Sequence, residues 1–221
     1  MKLVRTSIGF SILLVSLLGG TACNRIFYAS MEKLGKEKRD ILVKRIVDGK
    51  KDQEEARQQI KTTMEAFKEL TGFEGGDLER VYEKLNGQYK EAKERADDVS
   101  NRIKSINQVA GDLFKEWTKE IDEMDNATLK SQSRAMLRDA QLRHQHYMTA
   151  MAATERKMEP VVHAFHDQVL FLKHNLNARA IRSLKTTLTK LDSDVERLVA
   201  DIDRSMKESD AFVQSLLKAE T

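Results

Sequence analysis

Five histidines, all between His144 and His174, are the densest group of side chains in this 221-residue chain that could hold a metal or move a proton. Glu159, His163 and His166 are spaced four and three apart, with Asp167 next, so on a helix the first three share one face and offer ligands to one point. The neighbouring Val161 and Phe165 belong to an apolar stripe, which turns His163 and His166 toward solvent. A di-iron bundle needs Glu-x-x-His pairs on two helices, and the sequence has none. His144 falls within the stripe and is expected to pack in the core with its ring nitrogens bonded. Nucleotide chemistry fares no better, because the glycine cluster "GFEGGD" at 72–77 carries acidic residues where a phosphate loop needs lysine. With no G-x-S-x-G elbow and no paired Cys/His nucleophile, no catalytic residue, metal or cofactor is expected, and the chain reads as non-enzymatic.

The single cysteine, Cys23, is the other chemically distinctive position. Lys2 and Arg5 precede the apolar run Ile8 to Leu18, and Gly19, Gly20, Thr21 and Ala22 lead into the thiol, which is the order of parts in a secretory leader. An apolar run of 11 residues is well short of the roughly 20 needed to span a bilayer. The stretch resembles the lipobox of bacterial lipoprotein precursors, with Gly20 where that pattern favours leucine. The resemblance implies a signal peptide over residues 1–22, cleavage before Cys23, and acylation of Cys23. Two or three acyl chains hold a protein at a membrane where one binds only marginally. Asn24 stands where lipoproteins kept in the inner membrane carry aspartate, so the same resemblance implies an outer-membrane protein facing the periplasm. With Cys23 lipidated no thiol remains for a disulfide, and packing alone must stabilise the fold.

Loss of residues 1–22 removes Lys2 and Arg5 and lowers the formal charge from +3 to +1. Charges of both signs alternate along the rest of the chain, which reads as a solvated face and not as a clustered phosphate-binding surface. No nucleic-acid partner is expected.

One proline, 6% aromatic and 33% charged residues describe a chain of long helices. From Leu78 a 4,3 spacing runs through Tyr82, Leu85, Tyr89, Ala92, Ala96, Val99, Ile103, Ile106, Ala110 and Leu113 to Trp117 without a polar residue, the seam of a coiled coil. A looser seam runs from Leu42 to Leu70, interrupted by Gly49, Gln53 and Thr63. Another runs from Ile181 to Leu216, broken by Ser205 and Ser209. The least pure, Leu137 to Leu172, includes His144, Thr154 and Gln168. Asp77, Asn126 and Asn177 sit at the breaks as candidate caps. The spacing predicts helices near 27–71, 77–125, 127–175 and 178–218, in an all-α, elongated, antiparallel bundle of about four coiled-coil helices forming one domain over residues 23–221. Pro160, inside the third helix, is expected to bend it.

"DQVLFLKHNLNARAI", Asp167 to Ile181, is the oddest stretch, since Val169, Leu170, Phe171 and Leu172 cannot all face one narrow seam. Either this end is packed on two sides, or it exposes an apolar patch for a protein partner. Alternating helix directions place it beside the 71–77 turn, so Phe73, Leu170, Phe171 and Leu176 gather there with His174, Asn175 and Asn177. Phe171, His174, Asn175 and Asn177 are the candidate partner-contact residues. Together with "MEKLGKEKRDILVKRI" (Met31 to Ile46) and "GGDLERVYEKLN" (Gly75 to Asn86), this motif resembles the bacterial domain-of-unknown-function family 2959, over nearly the whole mature chain. The resemblance implies a coiled-coil protein, often with a lipobox, and assigns no functional residue.

Overall fold

A seam residue every three or four positions buries one stripe of each helix, and such stripes are satisfied only by facing one another. A computed structural model describes residues 38–72 and 77–218, and four helices form there: α1 (Lys38–Thr71), α2 (Leu78–Glu123), α3 (Ala127–His174) and α4 (Ala178–Lys218). The described residues contain no strand. Consecutive helices pack on each other, and α4 closes the ring by packing on α1. With lengths of 34 to 48 residues, the helices run about 50 to 70 Å at 1.5 Å per residue.

The expected boundaries hold to within two residues wherever the chain is described; the first predicted helix reaches back to residue 27, and its first turns lie outside the described residues. The starts of α2 and α3 carry their caps. Asp77 Oδ1 accepts from the amides of Glu79 (3.1 Å) and Arg80 (3.2 Å), and Asn126 Oδ1 from those of Thr128 and Leu129 (both 3.0 Å). These bonds satisfy amides that the first helical turn leaves without intrahelical partners.

The four seams are the core. Leu42, Ile46, Ile60 and Phe67 of α1 are fully buried, as are Ala92, Val99, Ile106 and Ala110 of α2; Met151, Met158 and Phe165 of α3 and Leu198, Ile202 and Phe212 of α4 are at most 2% exposed. Phe67 and Phe165 stack across the bundle with ring centroids 5.6 Å apart. The polar interruptions keep their places: Gln53, Thr63, Thr154, Gln168, Ser205 and Ser209 are all buried. Pro160 lies on the exposed side of α3, and the helix continues through it. A solvent-facing proline is tolerated because the carbonyl it deprives of a partner can bond water.

Antiparallel order sets the ends. Lys38 Nζ bonds Glu116 Oε1 at 2.6 Å, so α1 begins beside the end of α2 and the Asn126 turn. Lys84 Nζ bonds Glu69 Oε2 at 3.1 Å at the opposite end, which also holds the α3–α4 turn.

Candidate functional site

The α3–α4 turn is built almost entirely from its two asparagines. Asn175 ends α3: its backbone amide donates to Leu172 O (3.1 Å) and its side-chain amide to Phe171 O (2.9 Å). Asn177 starts α4: its Oδ1 accepts from the amides of Arg179 (3.1 Å) and Ala180 (3.0 Å), and its own amide donates to Asn175 O (2.8 Å). The turn thus spends both side chains on capping. His174 is exposed and extends from the last position of α3.

The four-residue apolar run beside it divides. Val169 and Leu172 are buried, whereas Leu170 is 43% exposed and Phe171 39%, with Leu176 of the turn at 37%. At about 100° per residue, the two positions between the buried pair fall on opposite shoulders of the outward face. Of the expected cluster, Phe171, Leu170, Leu176, His174, Asn175 and Asn177 are placed at this end, and Phe73 lies outside the described residues. Cys23 also lies outside them.

The histidines separate into different settings. His163 is exposed, with Nε2 3.8 Å from Glu159 Oε1. The His166 ring stacks on Tyr89 at a centroid distance of 5.0 Å. Both line a groove of about 550 Å³ between α2 and α3, where small Ala96 and Ser100 leave space against Glu159. Among the described residues, no three His, Cys, Asp or Glu side chains are grouped to hold a metal ion. His144 differs from expectation. Its ring lies between Phe114 (5.5 Å, edge-on) and Phe212 (5.8 Å), and its buried Nε2 has no hydrogen-bond partner. Burial among these rings lowers its pKa from the usual value, because the charged form loses its hydration.

Sequence reasoning treated the α1 and α4 interruptions as separate flaws, and the structure brings them together. Gln53 Nε2 donates to Ser205 Oγ at 2.8 Å, wholly inside the bundle. One turn on, Ser209 Oγ donates to Ser205 O at 3.0 Å. Arg102 and Ile106 fill the space that Gly49 leaves: a methyl group at Gly49 would stand 3.0 Å from both Arg102 Cγ and Ile106 Cδ1, with the hydroxyl of Tyr147, 1% exposed, in ordinary contact at 3.7 Å. Arg102 turns its Nε to Asp52 Oδ2 at 2.6 Å. Burial raises the Tyr147 phenol to about 12, against smaller downward pulls from Ser209 and Arg102. The Tyr147 hydroxyl and Gln53 Oε1 have no well-formed partner. The signal was in the sequence: laid antiparallel, the polar positions of the first and last seams fall at the same height.

Thr63 and Thr154, two of the remaining polar interruptions, bond along their own helices or toward a neighbour. Thr63 Oγ1 donates to Gln59 O (2.8 Å) and approaches Gln88 O (3.1 Å), and Thr154 Oγ1 donates to Ala150 O (3.2 Å).

These features define a closed, antiparallel four-helix bundle whose apolar seams are crossed by one polar layer. The chain belongs to the DUF2959 family, described as proteins of unknown function, whose family model matches residues 27–216. No curated protein and no solved structure matches the chain.

Proposed function

We propose that the mature chain is a non-enzymatic lipoprotein, anchored through Cys23 in the outer membrane and facing the periplasm, that serves as a coiled-coil scaffold in the cell envelope. The carrying observation is the leader itself: Lys2 and Arg5, an apolar run too short to span a bilayer, and Gly19–Ala22 ahead of the lone cysteine. What supports the scaffold reading is a closed bundle of helices about 50 to 70 Å long. Cys23 lies 15 residues before Lys38 in the sequence.

Mass spectrometry of the N-terminal peptide is expected to find acyl groups on Cys23, and Cys23→Ala to leave an unprocessed precursor. A wild-type N-terminus without acyl groups would refute the anchor. Asn24→Asp is expected to shift the protein to the inner-membrane fraction of a density gradient; unchanged fractionation would remove the outer-membrane assignment while leaving the anchor standing.

A second reading, an adaptor that docks a protein partner through the α3–α4 end, is favoured by the exposure of Leu170, Phe171 and Leu176. His174 is the residue with which to test it, since Asn175 and Asn177 cap helices and their loss would mix stability with recognition. A photo-crosslinker at His174 is expected to capture one protein from intact envelopes under the adaptor reading. Under the scaffold reading it captures nothing beyond what the same probe captures at exposed Lys104 in mid-α2.

A further inference from the structure

We propose that the layer formed by Gln53, Tyr147, Ser205 and Ser209 is the register key of the bundle, the feature that selects one axial alignment of α1 against α4. Three of the four helix–helix interfaces join consecutive helices, whose short turns limit how far one can slide along the other. The α1–α4 interface has no turn, so the slack left in the three turns adds up there, and its side chains choose among the alignments which that slack allows.

Most of those side chains do not discriminate. A slide of one heptad places an aliphatic seam residue against another aliphatic seam residue, because both seams repeat every seven positions. The surface charges tolerate it as well. Lys50 pairs with Asp210 (2.6 Å) and Arg57 with Asp203 (3.3 Å). Seven residues back along α4, Lys50 would meet Asp203 and Arg57 would meet Glu196, both still acidic. Only the Lys68–Asp192 pair would be lost, with Lys185 in place of the aspartate.

The layer does discriminate. After the same slide, Gln53 would face Leu198 in place of Ser205, while Ser205 and Ser209 would face Ile46 and Leu42. A buried amide would then lose its partner, and the serines would stand opposite large aliphatic residues. Gly49 acts on a different interface: its missing side chain leaves room for Arg102 and Ile106 of α2, so it sets α1 against α2 and not against α4. The layer is poorly built for stability, since Gln53 Oε1 and the Tyr147 hydroxyl are buried without well-formed partners. A polar group that costs stability but fixes register is the best-attested use of buried polarity in helical bundles.

Zero-length carbodiimide crosslinking of the full chain, read by mass spectrometry, tests this. In the wild type the α1–α4 links should be Lys50–Asp210 and Lys68–Asp192. In the Gln53→Leu, Ser205→Ala double variant a Lys50–Asp203 link should appear at comparable yield, with Lys68–Asp192 falling about twofold and thermal stability unchanged or higher. Thr63→Val, which removes a buried hydroxyl directed at α2, should keep the wild-type links. The proposal is overturned if the double variant keeps only the wild-type links, if Thr63→Val spreads them equally, or if the double variant fails to fold, since the layer would then hold the bundle together and not select its register.

Discussion

The polar layer in mid-bundle and the α3–α4 turn both set polar residues in apolar company, and they resolve the conflict in opposite ways. In the layer, Gln53, Ser205, Ser209 and Tyr147 are at most 1% exposed, and two of their polar atoms go without a good partner. In the turn, one side-chain atom of Asn175 and one of Asn177 bond helix ends, while Leu170, Phe171 and Leu176 stand partly in water. Inside a bundle the backbone already satisfies itself, so a side-chain amide must find another side chain. At a helix end the backbone offers free donors and acceptors, so an amide is readily satisfied and the apolar neighbours lose their cover.

The comparison breaks most sharply at glycine. Gly49→Leu is expected to cost about 2–3 kcal/mol in chemical denaturation, because the space is already taken by Arg102, Ile106 and Tyr147. Gly87 lies in α2 with nothing within 4 Å of where its side chain would begin. Gly87→Ala should therefore stabilise by about 0.5–1 kcal/mol through helix propensity alone. If both changes gave the same sign, close packing at Gly49 would be wrong.

Phe171→Ala sharpens the other side. A fully buried phenylalanine costs about 3–5 kcal/mol on truncation. At 39% exposure Phe171 should cost about 1–2 kcal/mol in urea unfolding, from the area it does bury. A loss of 3 kcal/mol or more would mean that something covers this face.

Asn177→Ala should cost about 1 kcal/mol, the usual effect of losing an N-cap. His174→Ala should change the midpoint by no more than about 0.5 kcal/mol, as exposed side chains do. If His174→Ala destabilised as much as Asn177→Ala, His174 would belong to the cap and could not report on recognition alone.

Helices, caps and seams were legible from the sequence because each depends on residues within a few positions of one another. The 4,3 spacing named the buried faces down to Ser205 and Ser209, and Asp77, Asn126 and Asn177 marked starts that the structure caps. The layer was harder to see, since Gln53 and Ser205 are 152 positions apart and meet only once all four helices are in register. The division of Leu170 and Phe171 from Val169 and Leu172 was also out of reach. Spacing shows that four consecutive apolar residues cannot share one seam; it does not say which neighbouring helix covers which shoulder. The spacing also places His144 in its seam. Its unbonded nitrogen depends on Phe114 and Phe212, which come from two other helices.

His144 provides the smallest effect and the one most specific to the bundle's interior. Its ring sits between two phenylalanines with Nε2 buried and unbonded, so the folded chain resists the proton more than the unfolded chain does. A base whose folded pKa is depressed contributes its full stability above the unfolded value, near 6.5. That contribution is lost as the pH falls, because the unfolded state protonates first and binds more protons. Stability should therefore decline between pH 7.5 and 5.5. In His144→Leu, which keeps the site apolar and removes the titration, the decline over that window should be shallower. The difference between the two profiles isolates His144 from every other titrating group. A competing effect is available, since an imidazolium next to aromatic rings can gain from their quadrupoles. Burial of the ring, which strips the charged form of its hydration, gives desolvation the larger weight. A wild-type profile shallower than that of His144→Leu would show that the rings stabilise the charge and that this reading of the site has the wrong sign.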